Sequence, residues 1–307
     1  MSHGRRLARL STALLVTVGI AGTGIAGAGT SGSAAAVART AVYVDNDGVL
    51  HATSAGVVDN LVTVTGTASA WTVSDSTPGG GVTVGNGCTK NASGAAVCQV
   101  SNFTSVVVDL GAGDDIVQVT GRAGVNCRVN GGADDDVVDA SRCELDGGAG
   151  DDVLYARVGT VTRGGDGDDA IVVYDPTSTA PREVFGGAGR DEIAFTLATG
   201  PVTVTLDDVA DDGQNGYANI NVHSDVENVR GGQYNDALTG NAADNQLRGA
   251  AGDDLLIGGD GNDTLEGDAG NDILRGGAGV DALFGGTGID QCDVGLDGGT
   301  VSADCES

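Results

Sequence analysis

Residues 231–293 divide without a gap into seven nine-residue units: GGQYNDALT, GNAADNQLR, GAAGDDLLI, GGDGNDTLE, GDAGNDILR, GGAGVDALF and GGTGIDQCD. Glycine opens every unit, an acid fills the sixth place in six of the seven, and leucine fills the eighth place in six. One such unit is too short to bury its leucine alone, so the pattern predicts that successive units stack on each other as a solenoid.

The first places of each unit predict a turn that can face a cation. Glycine permits positive φ, which lets main-chain carbonyls point toward an ion, and Ca²⁺ prefers six to eight oxygen ligands. The sequence therefore predicts calcium between stacked turns. The candidate ligands are the sixth-place residues Asp236, Asn245, Asp254, Asp263, Asp272, Asp281 and Asp290.

The nonapeptide G-G-x-G-x-D-x-U-x resembles the RTX, or haemolysin-type, calcium-binding repeat family of secreted bacterial proteins. The resemblance is close over residues 231–293 and implies a parallel β-roll with two nonapeptides per coil and calcium in the turns. Acids of alternate units would then share an edge. One edge would hold three sites between Asp236 and Asp290, and the other would hold two, the weaker of them at Asn245.

The same turn recurs upstream at a wider spacing, as GGADDD, GGAGDD, GGDGDD and GGAGRD at 131–136, 147–152, 164–169 and 186–191, with a fainter copy, LGAGDD, at 110–115. The sixth-place acids are separated by 21, 16, 17 and 22 residues, which approximates a full coil rather than half of one. We therefore expect irregular solenoid coils over residues 110–230, with the glycine–acid turn on one edge only. The further candidate ligands are Asp136, Asp152, Asp169 and Asp191.

The remaining segments predict the ends of the solenoid. Residues 39–109 lack the repeat and alternate β-branched runs with turns, which indicates a β-rich N-terminal cap. Residues 201–230 indicate an insertion or a transition between the two coil types, and residues 294–307 a C-terminal disulfide cap. The expected fold is all-β: a right-handed parallel β-roll or β-solenoid with a β-rich N-terminal cap.

The N-terminus indicates export. Arg5, Arg6 and Arg9 precede an apolar stretch, and Ala36-Val37-Ala38 has the small-residue pattern of a cleavage site. Residues 1–38 are therefore interpreted as a cleavable signal peptide of a secreted, extracellular protein.

Six cysteines in a secreted chain predict disulfides, although 15 pairings are possible. Their spacing favours Cys88 with Cys98, Cys127 with Cys143, and Cys292 with Cys305. Cys127 and Cys143 each precede a Gly-Gly turn by four residues. Stacked coils would place them in adjacent strands, about 4.8 Å apart, which is within the Cα range of a disulfide.

The composition restricts the possible partners. With 43 acids against 15 lysines and arginines, a net charge of −28 and 3% aromatic residues, the chain is unsuited to bind nucleic acid or to dock on an anionic membrane. We expect no nucleic-acid partner and no membrane insertion. The expected partners are calcium ions and, for a scaffold or adhesive role, a cell-surface or matrix polysaccharide or protein.

We expect no enzymatic activity. His51 and His223 are isolated in the sequence, and neither H-E-x-x-H nor G-x-S-x-G occurs. The alternative is a β-helix polysaccharide lyase or epimerase with calcium-stabilised coils, for which Arg128, Arg142, Arg157 and Arg163 are the relevant side chains. The competing interpretation is that these arginines balance an acidic surface.

Overall fold

The computed structural model describes residues 39–307 except 55–58, 68, 79, 100–103, 121–123, 158–159, 175–180, 215–218, 296, 303 and 307. The predicted signal peptide, residues 1–38, lies outside the described residues. The described part is all-β, without a helix, and forms a parallel β-solenoid of about 10 turns. This confirms the predicted fold class. None of the described residues forms a helix that is long and apolar enough to cross a membrane.

The described residues form thirty strands. The first eight are β1 (Thr40–Val44), β2 (Val49–Thr53), β3 (Leu61–Gly66), β4 (Trp71–Asp75), β5 (Val82–Val84), β6 (Cys88–Lys90), β7 (Ala96–Cys98) and β8 (Ser105–Asp109). The next thirteen are β9 (Ile116–Thr120), β10 (Asn126–Ala133), β11 (Val137–Ser141), β12 (Glu144–Ala149), β13 (Val153–Ala156), β14 (Thr160–Asp166), β15 (Ala170–Val173), β16 (Arg182–Ala188), β17 (Glu192–Ala194), β18 (Val202–Thr205), β19 (Gly213–Gln214), β20 (Ile220–Val222) and β21 (Asn228–Arg230). The last nine are β22 (Ala237–Thr239), β23 (Gln246–Ala251), β24 (Leu255–Asp260), β25 (Thr264–Ala269), β26 (Ile273–Ala278), β27 (Asp281–Thr287), β28 (Asp290–Asp293), β29 (Gly299–Val301) and β30 (Cys305–Glu306).

Three sheets form the walls of the solenoid. We call them the N-terminal sheet (β20-β16-β14-β12-β10-β8-β2-β1-β5), the C-terminal sheet (β19-β18-β22-β24-β26-β28-β30) and the shared sheet, whose fourteen strands run the whole length (β29-β27-β25-β23-β21-β17-β15-β13-β11-β9-β3-β4-β7-β6). The shared sheet faces the N-terminal sheet in the first coils and the C-terminal sheet in the later ones. The chain first enters the C-terminal sheet at β18 and β19 and returns to the N-terminal sheet at β20. From β21 onward its strands belong to the shared and the C-terminal sheets, which form the walls of the nonapeptide roll.

The core is one continuous column of inward-facing side chains, because period-two strands stack in register. In the roll the eighth-place leucines stack directly on each other, as Leu247 on Leu265 and Leu265 on Leu283. The N-terminal region joins this column, since β2 and β3 pair parallel with β8 and β9. At the other end β29 and β30 stack on the last full coil, where Val301 lies over Leu283 and is 45% exposed.

All three predicted disulfides are present: Cys88–Cys98, Cys127–Cys143 and Cys292–Cys305. The register of β10 on β12 places Arg128 opposite Glu144, so the preceding cysteines are adjacent, with a Cα–Cα distance of 4.3 Å. The stacking of the coils therefore confirms the predicted pairing of Cys127 with Cys143.

Candidate calcium-binding turns

The turns lie along two edges of the solenoid, which we define by the shared sheet. Turns on the first edge lead into the shared sheet, and turns on the second edge lead from it to the C-terminal sheet. The first edge carries the turns 110–115, 131–136, 147–152, 164–169, 186–191, 258–263 and 276–281. The second edge carries the turns 249–254, 267–272 and 285–290.

These ten turns share one backbone conformation, with positive φ at the second and the fourth place. In the turn 147–152, φ is 114° at Gly148 and 134° at Gly150. The conformation persists where a place is not glycine, since φ is 82° at Ala250 and 74° at Asp134. Because L-residues rarely adopt positive φ, the shared conformation indicates a common constraint on the turns.

The turns stack too closely for side chains in their interior. A Cβ added to Gly147 would lie within 3.0 Å of both the Asp152 Oδ2 atom and the Gly164 carbonyl oxygen of the next coil. A Cβ on Gly150 would come equally close to the carbonyl oxygen of Asp134 in the coil before. Carboxylate and main-chain carbonyl oxygens therefore converge in a small cradle between coils, which is the oxygen-rich environment that Ca²⁺ prefers.

The sixth-place carboxylates form a hydrogen-bonded ladder along each edge. The backbone N–H of Asp136 donates to Asp152 Oδ1 at 2.7 Å, and on the second edge the N–H of Asp254 donates to Asp272 Oδ1 at 2.8 Å. The same bond joins Asp115 to Asp136 and Asp263 to Asp281. One oxygen of each carboxylate thus ties its coil to the preceding one.

The second oxygen is buried without a hydrogen-bond partner in nine of these carboxylates: Asp115, Asp136, Asp152, Asp191, Asp254, Asp263, Asp272, Asp281 and Asp290. Their side chains are almost completely inaccessible. Burying an ionised carboxylate with an unpaired oxygen is unfavourable unless a cation compensates the charge. The unpaired oxygens lie in the cradles described above, so the residues present are suited to hold a divalent cation.

Burial has the expected electrostatic consequence for the protein without a cation. Desolvation, opposed in part by the backbone hydrogen bonds, raises the pKa of Asp136 and Asp152 to about 8. The same cause raises the pKa of Asp115, Asp191 and Asp254 to about 7 and that of Asp263 to about 6. Neighbouring carboxylates contribute in the same direction, because like charges disfavour ionisation.

Main-chain carbonyls are essential to these cradles. No group of three or more His, Cys, Asp or Glu side chains within the described residues is arranged to hold a metal ion by itself. Each ion would instead take carboxylate oxygens from the sixth place and carbonyl oxygens from the stacked turns. Such a mixed oxygen set suits a hard cation such as Ca²⁺ rather than a transition metal.

The structure adds residues that the sequence analysis did not select. Asp115 has the same buried, unpaired oxygen as the chosen acids, and Asn60 extends the ladder into the N-terminal region, since its side-chain amide donates to Asp115 Oδ1 at 2.8 Å. Residues 59 and 60 lack the glycines of the turn, so only the Asp-Asn pair followed by a strand could have indicated this position.

A second ladder runs along the fifth place and points the other way. Asn262 Oδ1 accepts from the backbone N–H of Val280 in the next coil at 3.0 Å, and Asn271 Oδ1 accepts from Ile289 at 3.1 Å. Asp151 accepts in the same manner from Asp168 at 2.9 Å. The frequent Asp and Asn at the fifth place were its sequence signal.

Asp236 and Asn245, both candidate ligands, lie in turns of another kind. The described turns 231–236 and 240–245 contain no residue with positive φ. Asp236 accepts a backbone hydrogen bond on each oxygen, from Val202 at 2.8 Å and from Gly232 at 2.6 Å. The structure thus brings Asp136, Asp152, Asp169, Asp191, Asp254, Asp263, Asp272, Asp281 and Asp290 into equivalent positions. Asp236 and Asn245 are also buried and lie on the same ladder, since their backbone N–H groups donate to Asp254 Oδ1 at 2.7 Å and to Asp263 Oδ1 at 2.8 Å, but their turns lack the positive-φ conformation.

Comparison with known families agrees with this geometry. The RTX calcium-binding nonapeptide repeat matches in four copies, over residues 144–160, 224–256 and 257–292. No curated protein matches the chain. The chain therefore carries RTX calcium-binding repeats on a β-solenoid, and these repeats indicate a calcium-binding protein.

Proposed function

We propose that this is a secreted protein in which calcium binds between the coils and couples extracellular calcium to the folding of a scaffold or adhesive module. The observation that supports this proposal is the set of nine buried carboxylates, each with one unpaired oxygen. At five of them, Asp136, Asp152, Asp191, Asp263 and Asp272, that oxygen and a main-chain carbonyl oxygen of the neighbouring coil converge on the same glycine. The three disulfides are consistent with an oxidising, extracellular environment.

The coupling follows from the cost of the cradles. Without a cation the folded chain must either protonate these carboxyls or keep unpaired charges in a low-dielectric interior. An ion that binds only the folded state adds its binding free energy to folding. Low calcium would keep the roll open, and the millimolar calcium outside a cell would close it, in the affinity range of extracellular calcium modules.

The test is a titration of the mature protein, residues 39–307 with intact disulfides, after removal of divalent ions by a chelating resin. Calcium, followed in a parallel sample by magnesium, is added while far-UV circular dichroism is recorded. We expect a cooperative gain of β signal with calcium that a chelator reverses, and a smaller response to magnesium, which demands a tighter octahedral geometry. A complete β spectrum that does not change with calcium would contradict ion-coupled folding.

The module's role is tested separately. Labelled protein at saturating calcium should bind cells or a surface polysaccharide if it is adhesive, and the same protein in chelator serves as its control. Absence of binding in both conditions would remove the adhesive role and leave the scaffold role.

The proposal assigns no catalytic role to the arginines of the alternative interpretation. Arg128 pairs with Asp146 at 2.9 Å, and Arg157 pairs with Asp139 and lies 3.6 Å from the centre of the Tyr174 ring. These contacts support the interpretation that the arginines balance the acidic surface. Formation of unsaturated product from uronate polymers at saturating calcium would overturn it.

A further inference from the structure

Three consecutive turns interrupt the conformation shared by the other ten. They lie at residues 223–227, 231–236 and 240–245, all of which the structure describes, and none contains a positive φ. The fourth place is glycine in nine of the ten other turns and Asp134 in the tenth, whereas it is Tyr234 and Ala243 here. Left-handed backbone is unfavourable for an L-residue, so these side chains disfavour the cradle conformation.

The sixth-place side chains of these turns are already satisfied by the protein. Both oxygens of Asp236 accept backbone N–H groups. Asn245 accepts from the N–H of Asn241 at 2.8 Å and donates from Nδ2 to the carbonyl oxygen of Glu227 at 3.0 Å. Glu227 in turn accepts from the N–H of Asp191 at 2.9 Å. The buried unpaired oxygen that marks nine of the other ten turns is missing from the three turns at residues 223–245.

Side-chain donors link the turns where a cation would otherwise be needed. Arg190 reaches across the short turn 223–227, and its Nη2 atom donates to the Asp244 carbonyl oxygen at 3.1 Å and to Asn228 Oδ1 at 3.4 Å. Asn241 Nδ2 donates to the carbonyl oxygen of Ser224 at 2.9 Å.

We propose that these three turns form a calcium-free joint, closed by Arg190, Asn241 and Asn245, that divides the calcium ions into two independent stacks. This inference rests on the proposed function, because it concerns how many ions bind and where. It departs from the expectation of a site between Asp236 and Asp254 and of a weak site at Asn245.

The joint fixes the number of ions if one ion lies between successive cradle turns on an edge. Five consecutive cradle turns at residues 110–191 leave four positions on the first edge. In the roll, two cradle turns on the first edge leave one position, and three on the second edge leave two. The expected total is therefore seven ions, four before the joint and three after it. Only one of the five turns before the joint, 147–152, lies within residues matched by the repeat family.

Native mass spectrometry of the disulfide-intact mature protein at saturating calcium counts the ions. Asp272 and Asp236 make a matched pair, since both are buried sixth-place acids on the second edge. We expect seven ions for the wild type, two fewer for Asp272→Asn, whose carboxylate borders two positions, and no loss for Asp236→Asn. Equal losses in both variants would overturn the joint. A wild type that binds no calcium would contradict the proposed function instead.

The Asp236→Asn variant also removes one hydrogen-bond acceptor. A second test therefore does not use this variant. Calcium titrations followed by hydrogen exchange locate the response by peptide in wild type, Asp152→Asn and Asp272→Asn. Each variant should weaken calcium-dependent protection in its own stack and shift the midpoint of the other by less than about twofold, as for independent sites. A threefold or larger shift across the joint would show one continuous column and refute the proposal.

Discussion

The coils at residues 110–191 and the roll at residues 231–293 both carry cradle turns on the first edge. They differ in the turns on the opposite edge. Along the first edge both regions build the same turn, with the same two positive-φ places and the same carboxylate ladder. Opposite that edge, the earlier coils use ordinary turns such as that at Arg142, whereas the roll repeats the cradle turn. The conformation of the cradle turn is therefore independent of coil length.

The two regions also differ in how much apolar surface they bury. One coil at residues 137–152 turns four side chains into the core, namely Val138, Ala140, Cys143 and Leu145. A roll coil at residues 246–263 buries only two apolar side chains, Leu247 and Leu256. The two additional side chains, Ala140 and Cys143, give the earlier coil more buried apolar surface, which stabilises a fold by about 25 cal/mol per Å².

The earlier coils have two further supports that do not require an ion. A second apolar cluster on the outer face of the shared sheet contains Val153, Tyr155, Ala170 and Val172. The Cys127–Cys143 disulfide links two adjacent coils. The comparison indicates that calcium contributes a larger part of the stability in the roll than in the coils before it.

The largest expected effect is therefore regional loss of structure when calcium is removed. Hydrogen exchange of the mature protein should lose protection at residues 246–293 by about 100-fold or more, the effect of one site at a calcium concentration of 100 Kd. Peptides at residues 126–173 should lose distinctly less, because their core and disulfide persist. The measurement compares calcium-saturated and chelated protein at one pH.

A matched control separates the hydrophobic contribution from the disulfide. In Cys127→Ser/Cys143→Ser the earlier coils should move toward the behaviour of the roll, since removing a disulfide typically costs 2–5 kcal/mol. Equal loss of protection in both regions of the wild-type protein would show that core size does not distinguish them.

How far the sequence predicts this molecule depends on which residues carry the signal. In the roll, a glycine, an acid and a leucine recur every nine residues, so the stacking and the candidate ligands from Asp254 to Asp290 are readable directly. The pairing of Cys127 with Cys143 is predictable because each cysteine precedes a Gly-Gly turn by four residues. Period and register were sufficient for these features.

The other features of the site depend on contacts between residues that are far apart in the sequence. The repeat period does not reveal such contacts. Asn60 joins the ladder through Asp115, 55 residues away, and Arg190 reaches Asp244 over 54 residues. In the turn of Asp236 the first and sixth places match the pattern, but the fourth place is Tyr234 and no residue has positive φ. The fourth place therefore distinguishes cradle turns better than the acid does.

The second expected effect is an inverted pH dependence of the metal-free protein. Burial raises the pKa of Asp136 and Asp152 from 3.8 to about 8 and that of Asp263 to about 6. A folded-state pKa above the unfolded value stabilises the fold fully below pH 3.8, and this stabilisation is lost as pH rises through the folded value. The chelated protein should thus lose stability between pH 4 and 8, by at most about 1.4 kcal/mol per pH unit for each such carboxyl.

Thermal unfolding by circular dichroism at pH 5 and pH 8 measures this dependence. With saturating calcium the trend should reverse, because protons compete with the ion for the same oxygens. In the roll, burial raises the pKa of Asp254 to about 7 and that of Asp263 to about 6, so the loss there should be complete by about pH 7. In the earlier coils it should continue to about pH 8, the pKa of Asp136 and Asp152. Metal-free protein that becomes more stable from pH 5 to pH 8 would contradict the assignment.

The smallest expected effect tests whether the two regions share the cradle turn. Gly167 in the earlier coils has φ 133° and Gly279 in the roll has φ 129°, and both occupy the fourth place. An added Cβ would lie within 3.0 Å of the Gly150 carbonyl oxygen in the first case and of the Gly261 carbonyl oxygen in the second. Gly167→Ala and Gly279→Ala should therefore destabilise the calcium-bound protein similarly, by more than the approximately 1–2 kcal/mol of left-handed backbone alone.

Gly94→Ala provides the matched control for backbone strain. Gly94 has φ 87°, but an added Cβ would have no heavy atom within 4 Å, so this variant isolates the conformational cost. Chemical denaturation at saturating calcium should rank Gly94→Ala as the mildest of the three variants. If Gly167→Ala were as mild while Gly279→Ala were severe, the close stacking would be confined to the roll. The four positions before the joint would then lose their geometric basis, because the carbonyl oxygens of consecutive turns would not converge there.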